Sequence, residues 1–129
     1  MNHDKTMRAA LQAAELRQEF ISWLRADTDK LVSAARLLGG DRWEDRATYV
    51  TDAIAFGAEP EELEAELTDL HRLLTLEFTD DLDAPEAHYF LMVHPDDPQA
   101  DEARLCAEAL DRGLEVIRAH ATALVKKVA

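Results

Sequence analysis

Between Asp4 and Leu38 no proline or glycine interrupts the chain, and Met7, Leu11, Ala14, Ile21, Leu24, Leu31, Ala35 and Leu38 recur at spacings of three, four and seven. That period predicts an amphipathic helix. If continuous, it would span about 50 Å at 1.5 Å per residue, longer than a domain of this size is wide. The helix is therefore expected to break, protrude or pair with something equally long. Asp27-Thr28-Asp29 is the expected weak point, because these residue types are poor in helix interiors and good as caps. A second apolar group, Leu16, Phe20, Trp23, Ala34 and Leu37, lies on a different face, so roughly half the circumference is apolar. Such a helix needs neighbours on two sides. Either it runs through the centre of a bundle, or Phe20 and Trp23 meet a second copy of the chain.

Gly39-Gly40 ends this helix, with one glycine free to take a left-handed conformation, and Asp41 with Glu44 reads as a capping box for the next. Trp43, Ala47, Val50 and Ile54 form the inward stripe of that second helix, Tyr49, Ala53 and Phe56 widen it, and Gly57 stops it. A third helix opens at Pro60 with Glu59, Glu61 and Glu62 around its first turn, where the helix dipole favours carboxylates. Leu63, Leu67, Leu70, Leu74 and Phe78 follow at spacings of four, three, four and four, the cleanest period in the chain. Asp80 to Asp83 is a loop, and Asp83 with Glu86 suits another capped start. The run Tyr89 to Val93 is too short for its period to separate a helix from a buried strand, but no other segment offers a strand to pair with it. A short helix is the preferred reading.

After a loop at Pro95 to Pro98, with Asp97 as its cap, the last helix runs from about Pro98 to Lys127. Its stripe is Ala103, Leu110, Leu114, Ile117, Ala121, Leu124 and Val128, and Arg104, Glu108, Arg112, Glu115 and Arg118 alternate in sign outside it. The pattern predicts one all-α domain over residues 1–129: a bundle of four to five helices whose long terminal helices pack antiparallel. With 129 residues, 47% of them apolar, the chain is large enough to bury its own core.

Charge sharpens this picture. From Glu59 to Glu102 there are fifteen acids against the single base Arg72, a net charge of −14, while Met1 to Leu38 carries +1, Gly39 to Ala58 −2 and Ala103 to Ala129 +2. The total of −13 disfavours direct binding to nucleic acid or anionic membranes and favours a basic partner. Cys106 is the single cysteine, no signal-like apolar run opens the chain and no stretch approaches a membrane span, so a soluble cytoplasmic protein is expected.

The acid-rich middle is accordingly the first candidate site, with Glu62, Glu66, Asp69, Asp80, Asp81 and Asp83 as contacts for a basic protein; the plainer reading is a solvated face plus capping carboxylates. Phe20 and Trp23 are the candidate contacts of a homodimer. No metal is expected: the loop at Asp80, Asp81 and Asp83 lacks the glycine and distal glutamate of a calcium loop, and no His-Glu-x-x-His or Glu-x-x-His pattern occurs. Cys106, Gly113 and His120 share a helix face at intervals of seven, which is either a small interhelical site or ordinary packing. No catalytic motif or cofactor fingerprint accompanies them. The leading expectation is a non-enzymatic interaction or regulatory protein docking a basic partner. Its rival is a bundle that holds a metal or small ligand between helices near His71, Cys106 and His120, with or without catalytic turnover.

Overall fold

A computed structural model describes residues 2–81, 83–94 and 96–128, with the side chains of residues 2–4, 6, 80 and 121–128 outside that description. All its regular elements are helical: α1 (Asn2–Ala26), α2 (Thr28–Gly39), α3 (Asp41–Ala55), α4 (Glu64–Leu74), α5 (Pro85–Leu91) and α6 (Pro98–Val128), with single 3₁₀ turns at Pro60–Leu63 and Glu77–Asp80. The expected four to five helices become six because the first predicted helix divides at Asp27. There Asp27 adopts φ −106°, ψ 27°, and the Thr28 hydroxyl donates to the carbonyls of Leu24 and Arg25 at 2.9 and 3.2 Å. A threonine bonded backwards in this way bends a helix. Backbone bonds still cross the joint, from Asp27 N–H to Trp23 O and from Leu31 N–H to Asp27 O, so the break is a kink and not a loop.

This kink sends α2 through the centre, where it touches all five other helices. Leu31, Ala34, Ala35, Leu38 and Gly39 are buried there, drawn from both apolar faces of the predicted helix. Short side chains let the neighbours close in. The first half of α1 has a different fate: every described side chain from Lys5 to Leu16 is exposed, Met7 at 55% and Leu11 at 60%. Met7, Leu11 and Ala14 thus leave the core stripe that the period assigned to them. Among the described residues Phe20, Ile21 and Leu24 carry α1 into the core, with Trp23 packed against it.

Gly40 takes φ 76° and joins α2 to α3, a conformation that disfavours any residue with a Cβ. It, and not Asp41, is the N-cap of α3, and no side-chain capping bond forms. The predicted capping box is therefore absent, and Glu44 faces Arg36 at 3.7 Å instead. Trp43, Ala47, Val50 and Ile54 are buried as the stripe requires, but Tyr49 and Phe56 stand 59% and 90% exposed and do not widen it. The helix predicted from Pro60 to Phe78 starts as a 3₁₀ turn and ends at Leu74, because Leu76 turns left-handed at φ 68° and sends the chain back. Tyr89 to Leu91 is helical, not a strand. On α6, Ala103, Cys106, Leu110, Leu114 and Ile117 are buried, while Ala121, Leu124 and Val128 lie outside the described side chains. Gly113 lets the Phe20 ring lie directly on α6, where a Cβ would overlap it.

Candidate functional site

Four elements that share the core fail to close over it at one place. Leu38 of α2, Leu74 at the end of α4, Leu76 beyond it, Phe90 of α5, Val93, and Ala100, Ala103 and Ala107 of α6 line a cleft of about 610 Å³. The alanines make the space, since small side chains on α6 face large ones on α4 and α5. His71, Thr75, Arg104, Glu108 and Asp111 are its polar lining residues. His71 Nε2 lies 3.8 Å from Asp111 Oδ1. That gap is too long for a direct hydrogen bond. A cavity of this size with mostly apolar walls and a few polar groups has the anatomy of a small-molecule site. Beside it, Leu91 and Met92 are 74% and 84% exposed, so the short helix and the residue after it form a greasy rim.

The acids expected to form a docking surface have been divided. Arg17 of α1 reaches the turn before α4, donating to Glu59 and to both carboxylate oxygens of Glu61, the second at 3.0 Å. Arg118 of α6 pairs with Glu64 at 3.0 Å. Asp69 sits between Arg46 at 2.6 Å and Arg72 at 4.0 Å, and Arg72 also holds Glu77 at 2.8 Å. Asp69 is thus an internal brace, as is Arg46, whose guanidinium lies 4.3 Å over the Trp43 ring. Among the described residues Glu62, Glu66, Asp81 and Asp83 have no basic partner; Asp81 Oδ1 accepts from the Asp83 N–H at 3.0 Å. The Asp80 side chain lies outside the described residues. Glu86, read as a cap, is only 9% exposed and accepts from Trp43 Nε1 at 2.9 Å.

No known protein family matches this chain, and neither a curated protein nor a solved structure does.

The three residues of the rival site are scattered. His71 borders the cleft, Cys106 is buried towards Asp27 and Lys30, and His120 Nδ1 lies 2.8 Å from Glu61 Oε1. Burial pushes the Cys106 thiol up to about 11, with Asp27 and Glu102 adding to the effect, so the nucleophilic thiolate is scarce at neutral pH. Among the described residues no group of three His, Cys, Asp or Glu side chains is placed to hold a metal ion. Phe20, expected between copies, is 5% exposed and stacks on Trp23 with ring centroids 6.2 Å apart. Trp23 is half-buried in a shallow groove with Leu16, Ala109, Arg112 and Val116. The cleft was invisible in the sequence because its walls are contributed by four separate stripes.

The Arg17 cluster has a pH signature. Burial pushes the Glu61 carboxyl up, but its hydrogen bonds and the charges of Arg17 and His120 outweigh burial, and the net direction is down from 4.5. A carboxyl whose folded pKa is depressed adds stability above its unfolded value and loses it as pH falls through the folded one. Arg17→Met is expected to cost about 1 to 2 kcal/mol at neutral pH, a difference that narrows below pH ~4.5. Urea denaturation of both proteins at neutral and acid pH checks it; a gap independent of pH contradicts the assignment.

Proposed function

We propose that this protein is a non-catalytic, cytoplasmic binding module that takes a small, mostly apolar molecule bearing a cationic group into the cleft between α2, α4, α5 and α6. The cleft itself carries the reading: about 610 Å³ walled largely by Leu, Phe, Val and Ala, with His71, Thr75, Arg104, Glu108 and Asp111 as its polar groups. Size and lining match sites that hold compact organic ligands. Preference for a cation follows from Glu108 and Asp111, one turn apart on α6, which outnumber Arg104 among the lining groups, and from the net charge of −13. The Phe90 ring in the wall offers a further cation-attracting face. In this reading α1 and α6 lie antiparallel and brace the bundle. The order of contacts supports that arrangement, with Phe20 against Gly113 and Asp27 near Cys106.

Docking of a basic protein on the acid-rich middle is the second reading, favoured by the solvent-facing Glu62, Asp81 and Asp83, which have no basic neighbour among the described residues. One calorimetric titration separates the two. Naphthylmethylammonium is expected to bind with a Kd of about 0.1 to 1 mM and tighter than naphthoate. Ala100→Phe, which fills the cleft, is expected to abolish this, and Asp111→Asn to remove the preference for the cation. Failure of the probes to bind, or equal binding by Ala100→Phe, excludes the cleft. Salt-sensitive binding of an oligoarginine that survives Ala100→Phe assigns the contact to the acid surface instead.

A further inference from the structure

We infer that the exposed first half of α1 pairs, antiparallel, with the same segment of a second copy of this chain. The observation is a core stripe that outruns its core. Met7, Leu11 and Ala14 continue the line that Ile21 buries further along α1, on the same helical face, yet Met7 and Leu11 are more than half exposed. A helix of this length presenting an apolar stripe beyond its bundle has the form of one strand of a coiled coil.

Charge selects the occupant and its direction. Arg8 and Glu15 are seven residues apart, hence on one flank of the stripe about 10 Å from each other along the axis. Both are exposed and neither has an ion-pair partner among the described residues. At that distance they cannot pair within the helix. In an antiparallel pair of α1 segments, Arg8 of each copy meets Glu15 of the other, giving two ion pairs beside the apolar seam. A parallel pair puts the two Arg8 positions on opposite sides of the seam, away from either Glu15, and gains neither. This contact is separate from the cleft, so either reading stands without the other. It also relocates the dimer expected from Phe20 and Trp23, moving it towards the end of α1 that the bundle leaves uncovered.

Light scattering on the full chain tests the pairing. The wild type is expected at twice its 14.5 kDa mass at roughly 100 µM. Met7→Glu with Leu11→Glu is expected to be monomeric with an unchanged far-UV spectrum, since neither side chain is part of the core. Arg8→Glu alone is expected to raise the dimer Kd about tenfold or more, by placing like charges opposite each other. Arg8→Glu combined with Glu15→Arg restores the two pairs and is expected to recover the wild-type Kd. A monomeric wild type at that concentration, a dimer indifferent to the two glutamates, or a charge swap that fails to recover affinity overturns the proposal.

Discussion

Trp43→Ala is expected to lower the unfolding free energy by about 4 to 6 kcal/mol: a large cavity costs about 3 to 5, and the stranded Glu86 carboxyl adds about 1 to 3 before partial collapse. Set against the 5 to 15 kcal/mol typical of whole domains, such a loss leaves the variant near the edge of folding. The size of the effect follows from how much converges on this ring. Trp43 is 3% exposed. Phe78 packs against it at 5.5 Å between centroids, Arg46 covers its face, and its N–H fills the inward-turned Glu86. The ring therefore ties α3 to α5 and to the turn after α4. Trp43→Phe isolates the polar part. It is expected to cost about 1 to 3 kcal/mol by orphaning Glu86, and combining it with Glu86→Leu is expected to recover much of that. Chemical denaturation followed by far-UV circular dichroism measures all three. A Trp43→Phe protein as stable as the parent would mean that the buried hydrogen bond contributes nothing.

Leu24→Ala is the second large effect, about 2 to 5 kcal/mol. Leu24 is 1% exposed and, with Phe20 and Ile21, is one of three buried residues through which α1 enters the core. Truncating it opens a cavity at the kink, where the Thr28 hydroxyl has already taken up the Leu24 carbonyl. Beyond these residues, Arg17 with Glu59 and Glu61 is what ties this stretch of α1 to the bundle. Amide exchange is expected to accelerate along α1 more than along α4, and uniform acceleration in both helices would show that α1 does not detach ahead of the rest.

Several features were legible because they depend on local order alone. The helical period placed Trp43, Ala47, Val50 and Ile54 inside, and the Asp27-Thr28-Asp29 break and the Gly39-Gly40 turn announced themselves by residue type. Capping was legible at Asp97, whose Oδ1 accepts from the Gln99 N–H at 2.9 Å ahead of α6, and failed at the other two starts for a different reason. Asp41, Asp83 and Glu86 fit the spacing of a capping box, yet Glu86 is worth more against an indole N–H in the core than at a helix end, and only tertiary packing reveals that choice. The same limit applies to charge. Composition identified fifteen central acids but not that Arg17, Arg46 and Arg118 come from distant helices to meet four of them. Nothing in the order of residues marks the cleft either, for its walls are leucines and alanines that look like any others until α4, α5 and α6 are set around α2.

Cys106 has a practical consequence. With its sulfur shut inside the bundle and its thiol held near 11, only about one molecule in ten thousand carries the reactive anion at neutral pH. The folded protein should thus resist alkylating reagents and air oxidation alike, and any pairing of two chains survives reducing agents unchanged.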